Sequence, residues 1–527
     1  MSGSDDPAAW YRRHAVLLVG TAAFLLYLPA LGGAYLLDDG RAILGHPAVN
    51  GAAPWWEVFT REFWGAPLSS IEWSSSYRPL TSLGLALEHR LTAEAWLHHL
   101  ANAGLYGILC GQVTWLARRH ARPAVALAVG LVFAALPVHV ESVASLVGRA
   151  DVLASIAGLG AFALAVRADG APAGLGRAAL ASLLYAAALL CKETVALLPA
   201  VVGWFAVLSI RRDRRWAHLV PAVGLALVGA LYLVARHQVL AVALPPDFVP
   251  ADNQLIERAG LARLWGDLAV LGHYAELTAV PLRLCADHTY GDVYPPTSLF
   301  GAGALWAWIG VPLLVALVAD GARALRGRSR GLWFAALLAY LLIGQWIIPL
   351  SVVVAERLAV WPTAWLAIAL AASCDGWAER VRGRRAALLV ALLLALSAGR
   401  SIDRMFDWRD ARTLEASSAE ACPAAVHGRI LLAAEESRAG DHEQALWDYA
   451  VALAGRAAYP EPFESPMLDA EKDTPLADRL SSLPELMGAR DRAVGWAALR
   501  GALLQLGARE EAALAAQLAG HPAGQPR

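Results

Sequence analysis

Long apolar runs alternate with short polar gaps along most of this chain. Runs of roughly spanning length occupy 14–34, 97–117, 123–138, 150–167, 176–191, 194–210, 217–238, 302–319, 332–350, 355–374 and 386–399. A helix crossing the hydrocarbon core needs about 20 such residues. Basic clusters recur between alternate runs: Arg12 and Arg13, "RRHAR" at 118–122, Arg167 and Arg177, "RRDRRW" at 211–216, "RALRGRSRG" at 323–331 and "ERVRGRRA" at 379–386. The positive-inside rule puts all of them on the cytoplasmic side. The pattern therefore predicts about eleven spans, with the N-terminus inside and the C-terminus outside. A less apolar stretch, 261–282, would throw both later clusters outside if it spanned, so it reads as an interfacial or re-entrant helix. The first run reads as an uncleaved anchor; the small residues of "ALGGA" make a cleavable leader the alternative.

The outer side then receives 35–96, 139–149, 192–193, 239–301, 351–354 and the C-terminal part. The first of these loops carries Trp55, Trp56, Phe59, Phe63, Trp64, Trp73, Tyr77 and Trp96. Trp and Tyr favour the membrane–water interface, so the loop reads as short helices lying on the bilayer. After Arg400 the period changes. Residues 428–454 read as two amphipathic helices joined at Ala439-Gly440-Asp441, and 493–520 repeat this around Gly507. Helix, small-residue turn, helix is the tetratricopeptide pattern. The predicted architecture is all-α: a polytopic bundle over 1–400 and a short extracytoplasmic helical-hairpin domain over 401–527. Two hairpins are few for an independent stack, so this domain is expected to lean on the rest.

Composition supports the membrane reading. Of 527 residues, 57% are hydrophobic and only 17% charged, and the mean hydropathy is +0.46. A net charge of −1 gives no electrostatic case for nucleic acid. The richness in Ala, Leu, Arg and Gly fits a GC-rich bacterial genome, hence a bacterial inner membrane. The five cysteines are scattered, without metal spacing, and read as small buried hydrophobes.

Charge near membrane depth is costly and marks function. Here it gathers at outer helix ends. Asp38 and Asp39 follow the first run, and Arg78 shares their loop. "LPVHVESVASLVGRAD" supplies His139, Glu141, Arg149 and Asp151; "LCKET" supplies Lys192 and Glu193; "VVVAER" supplies Glu356 and Arg357; "LCADHTYGD" supplies Asp287 and His288. Helix-end ion pairs that tether the bundle are the competing reading. Adjacent acids repel, so Asp38 and Asp39 gain from a shared proton or a cation. Such a pair can accept a hydroxyl proton.

"YLLDDGRAI", "FWGAPL", "SYRPLTSL", "LHHLANAGLYG", "LPVHVESVASLVGRAD", "LLCKET", "LCADHTYGDVYP", "VVVAERLAVWP" and "WRDARTLEASSAEACP" occur in this order. Together they resemble the transmembrane O-mannosyltransferases with tetratricopeptide repeats, of the C-type glycosyltransferase superfamily. The resemblance covers about 14–455. It implies a polyprenyl-phosphate sugar donor, a protein Ser/Thr hydroxyl as acceptor and an active site on the lumenal or periplasmic face. It places catalysis at Asp38 and Asp39. His139, Glu141 and Asp151 would position acceptor or base. Arg357, Arg78, Arg149 and Lys192 would bind the donor phosphate, with Glu193, Glu356 and Asp287 in support. No cofactor is expected, although the acidic pair could hold a divalent metal. The repeat region is shorter than in the animal enzymes, so acceptor choice does not carry over; it could bind the acceptor or a partner protein. A C-type enzyme acting on lipid or envelope glycan, a transporter and a non-catalytic scaffold are the alternatives.

Overall fold

The computed structural model describes residues 7–68, 76–240, 253–288, 292–378, 384–457, 475–480 and 492–519. These are helical, without a named strand among them; isolated bridges join Arg61 to Pro67 and His288 to Val354. The main helices are α1 Pro7–Leu26, α2 Pro79–His89, α3 Ala95–Ala117, α4 Pro123–Ala134, α5 Val140–Ala144, α6 Arg149–Ala165, α7 Leu175–Cys191, α8 Leu198–Asp213, α9 Leu219–Leu240 and α10 Gly260–Ala279. They continue as α11 Ala304–Leu325, α12 Leu332–Tyr340, α13 Val360–Ala378, α14 Arg384–Asp407, α15 Ala411–Ala421, α16 Val426–Arg438, α17 His442–Ala457, α18 Arg492–Gln505 and α19 Arg509–Ala519.

The chain divides into two compact units. One comprises Met1–Asp247, Val311–Ile348 and Glu356–Arg409; the other comprises Phe248–Gly310, Pro349–Ala355 and Asp410–Arg527. This is not the expected division at 400. Residues 248–310 gather with the C-terminal part because a disulfide, Cys285–Cys422, ties them across 137 positions. Two of the five cysteines are therefore covalent staples and not small apolar fillers.

In the first unit α1 crosses α3 closely. A Cβ at Gly107 would sit 2.7 Å from the Gly20 carbonyl oxygen, so neither position tolerates a side chain without separating the helices. Among the described residues, five stretches are long and apolar enough to cross a membrane: Arg13–Gly32, Glu193–Asp213, Trp216–Gln238, Ala304–Leu325 and Glu356–Asp375. A sixth counts if the pair Pro123–Ala134 and Pro137–Ala144, bent by 54°, is one broken span. The bend follows from Pro137, which lacks an N–H and holds Leu136 extended. Fewer spans pass this test than the eleven the runs suggest. Within 332–350 the helix stops at Tyr340 and gives way to turns, with Gln345 at φ +64°. Helices α6 and α7 have 17 residues each, short for a crossing. α10 is not among the spanning stretches. Apolar side chains point outward: on α14, Leu388, Leu389, Leu392, Leu393 and Leu396 form an exposed stripe. Only 22% of the Trp216–Gln238 window is buried by protein. Such surfaces fit lipid as their solvent.

The aromatic loop folds as short turns. Trp55, Trp56, Phe59 and Trp96 are exposed while Phe63 is buried. Tyr77 donates to the Phe59 carbonyl at 3.0 Å. Trp73 lies outside the described residues. In the second unit α16–α17 and α18–α19 form two helical hairpins, turning at Gly440 (φ +83°) and Gly507 (φ +80°), where a side chain would be strained. Trp447, Tyr449, Trp496, Leu499 and Leu503 pack between them. Most of the Pro-rich segment between the hairpins lies outside the described residues.

Candidate active site

The chain leaves its first span through a turn of Leu28–Gly32 and an extended stretch, then reverses tightly at 36–39. The Asp39 N–H reaches the Leu36 carbonyl at 2.9 Å. Leu37 sits at φ +49°, a region that a bulky residue enters at about 1–3 kcal/mol. The Asp39 side chain holds this turn. One carboxylate oxygen accepts the Leu36 N–H at 3.0 Å and the other accepts the Val147 N–H at 3.0 Å. Asp39 is 1% exposed, whereas Asp38 stands exposed at the apex. The sequence treats the two acids alike. The fold splits them into a buried clamp and an accessible carboxylate.

Burial pushes the Asp39 carboxyl up from 3.8 to about 7, although the Leu36 and Val147 amides pull the other way. Because the folded pKa is raised, the folded state keeps a proton that the unfolded state releases. The associated stability is full below about pH 4 and is lost as pH rises through about 7. Thermal melting of the purified protein should therefore show a stability loss across this window that Asp39→Asn flattens. An unchanged slope in the variant would mean that Asp39 does not titrate there.

The broken span delivers the next groups. His139 is fully buried, with Nδ1 2.8 Å from the Tyr106 hydroxyl and Nε2 2.8 Å from Thr363 Oγ1. Both ring nitrogens are engaged, so His139 pins α3 to α13 and does not present a nitrogen to an acceptor. Glu141, also buried, accepts the Arg357 backbone N–H at 2.8 Å and pairs with its guanidinium. Ser142 Oγ donates to the Arg357 carbonyl at 3.1 Å.

The expected phosphate-binding cations separate into two kinds. Arg149 is 1% exposed; Nη1 lies 2.7 Å from both Glu88 oxygens and Nη2 donates to the His98 carbonyl at 2.9 Å. Nη1 and Nη2 are thus taken up internally, while Nε is buried without a hydrogen-bond partner. Lys192 is buried against Asp151, and this pair joins α6 to the turn after α7. One oxygen of Asp151 thus serves as the counter-ion of Lys192, while Oδ1 is buried without a hydrogen-bond partner. Arg78 lies 3.7 Å from Glu193, which also faces Arg236 at 3.6 Å, and it stacks over Phe63. Arg357 remains 30% exposed along its side chain. The charges of Asp38 and Asp151 reach Arg357, and those of Arg78 and Arg357 reach Lys192. One locality of the first unit thus gathers Asp38, Glu141, Asp151, Lys192, Arg78, Glu193 and Arg357. Glu356 is buried beside it, its charge felt at Glu141.

Asp287 belongs to the second unit, where it pairs with His427. Sequence reasoning missed Glu88, Arg236, Tyr106 and Thr363. A lone Arg closing the apolar run 217–238 was the available signal for Arg236; the others carry none until the helices pack.

The chain is similar to several proteins named protein O-mannosyl-transferase. It is 35% identical over 245 residues to Tmtc2 of Drosophila melanogaster, covering 44% of this chain and 26% of that protein. It is 28% identical over 473 residues to TMTC4 of Homo sapiens, covering 79% of this chain and 63% of that protein. To Tmtc1 of Drosophila melanogaster it is 37% identical over 193 residues, covering 36% and 22%. The chain thus spans less than two thirds of these relatives. No family model matches it, and no solved structure does. Apolar spans and relatives together identify an integral membrane protein.

Proposed function

We propose that this chain, which is TMTC-like in sequence, is a membrane glycosyltransferase that moves a sugar, mannose or another hexose, from a polyprenyl phosphate to Ser/Thr hydroxyls of proteins. The observation that carries the reading is the exposed Asp38 on a strained turn, with its charge felt at the half-open Arg357. Asp38 accepts the acceptor's hydroxyl proton as its oxygen attacks the anomeric carbon, and the bond from that carbon to the lipid phosphate oxygen breaks. The departing phosphate keeps the bonding pair, and Arg357 faces it with guanidinium N–H groups. Arg78 and Lys192 add positive field behind it. No metal enters this reading, in which Asp38 acts as the base while both Asp39 oxygens accept backbone amides.

The Cys285–Cys422 disulfide supports placing the second unit on the non-cytoplasmic side, since disulfides persist in oxidising compartments. The two hairpins there are suited to bind acceptor or partner protein in the manner of tetratricopeptide repeats. Mass spectrometry of periplasmic proteins from cells with and without the chain tests the reading. A hexose on Ser or Thr that disappears with the chain is the expected result. An unchanged protein profile with a changed envelope glycan would move the acceptor to lipid or glycan.

A further inference from the structure

Within the first unit, α3, α6 and α7 border a groove of about 430 Å³, whose lining includes Trp115, Arg119, Gly160, Leu164, Arg177 and Leu184. Gly160 keeps it open: a Cβ there would approach Leu184 Cδ1 to 3.3 Å. Two guanidiniums stand at one end. Arg119, just after α3, lies 4.1 Å over the Trp115 ring and donates from Nη1 to the Val166 carbonyl at 3.3 Å. Arg177, in the first turn of α7, donates from Nε to the Leu164 carbonyl at 3.2 Å and from Nη2 to the Ala163 carbonyl at 3.1 Å. The charge of Arg177 is felt at Arg119. The nearby cation Arg167 has Asp169 as its partner, but among the described residues no carboxylate pairs with Arg119 or Arg177. The last carbonyls of α6 offer roughly half a negative charge against two positive ones, and the first turn of α7 is itself the positive end of a helix.

We infer that this groove binds one anionic phospholipid of the bilayer, its phosphate between Arg119 and Arg177 and its acyl chains along the apolar faces of α3 and α7. A guanidinium has five N–H groups, and the α6 carbonyls occupy one or two of each, so donors remain for phosphate oxygens. The apolar length argues for a lipid over a free phosphate. Ile108 and Trp115 follow Arg119 along one face of α3, and Leu180 and Leu184 follow Arg177 along one face of α7. Ile108, Trp115 and Leu180 are 59%, 41% and 48% exposed. Both arginines belong to the basic clusters that the positive-inside rule puts on the cytoplasmic side, where basic pockets between helices receive anionic head groups. The site does not depend on the transfer reading. Its rival is that the two arginines only cap the end of α6.

The full chain in detergent is irradiated with a phosphatidylglycerol that carries a diazirine in one acyl chain, then digested and mapped. Adducts should fall on the segments of α3, α6 and α7 that border the groove. Unlabelled phosphatidylglycerol should suppress them about thirtyfold more effectively than phosphatidylcholine, since each guanidinium near a membrane surface favours an anionic lipid about fivefold. These readouts use the unaltered chain and need no variant to fold. Arg119→Gln and Arg177→Gln should each lower the affinity for phosphatidylglycerol about fivefold. Four results would overturn the site: adducts elsewhere, equal competition by phosphatidylcholine, affinity unchanged in both variants, or stronger competition by a polyprenyl phosphate, which would give the groove to the sugar-carrying lipid instead.

Discussion

Asp38→Asn should fold, insert and bind the lipid donor while turnover falls about 10²- to 10⁴-fold. The structural duties at this turn do not use the Asp38 side chain. Its carbonyl accepts from Arg41 at 3.2 Å and from Ala42 at 2.9 Å, and an Asn keeps both bonds. The carboxylate itself is exposed, so replacing it strands no buried partner. Asp39→Ala should do the reverse. It leaves the Leu36 and Val147 amides unpaired in a buried place, at about 1–3 kcal/mol each. It also removes what holds Leu37 in its strained conformation, so melting temperature should fall. A rate assay and a melting curve on the two variants separate base from clamp. Full turnover in Asp38→Asn would remove Asp38 from the chemistry.

The acidic pair, the ordered motifs and the helical character were legible because each is local: a run, a spacing or a period. What sorted the site was not local. Arg149 and Arg357 look alike in sequence, each a guanidinium where an outer loop meets a helix. They part because Arg149 is buried with Glu88, 61 positions away, on its Nη1, while Glu141 holds the backbone N–H and one nitrogen of the partly exposed Arg357 from 216 positions away. Lys192 likewise reads as an open cation until Asp151 is packed against it. His139 reads as a free imidazole until Tyr106 and Thr363 close on it. The cysteines carried no spacing signal because a 137-residue separation leaves no local trace. The run count exceeded the spans for a related reason. Hydropathy along the chain does not register breaks such as Pro137, or turns such as that after Tyr340.

Arg357→Ala should lose both donor affinity and stability, and the two losses should prove separable. A guanidinium carries five N–H donors. Glu141 engages Nη1, and no further side-chain hydrogen bond of Arg357 occurs among the described residues, while the side chain is 30% exposed. The remaining donors suit a phosphate, and their loss should weaken polyprenyl-phosphate binding about ten- to hundredfold, the worth of a charged hydrogen bond of roughly 1.5–3 kcal/mol. The same substitution leaves Glu141 buried with its counter-charge gone, which costs about 3–5 kcal/mol. Glu141→Gln combined with Arg357→Ala removes the stranded charge, so the double variant should recover much of its melting temperature. Donor binding should stay as weak as in the single variant, because nothing replaces the guanidinium. Arg357→Lys should fall between, keeping the charge and losing the planar fork. The decisive comparison is donor affinity in the double variant. If it returns together with stability, Arg357 is a tether for Glu141 and the phosphate is bound elsewhere, with Arg78 the remaining partly open cation beside Glu193.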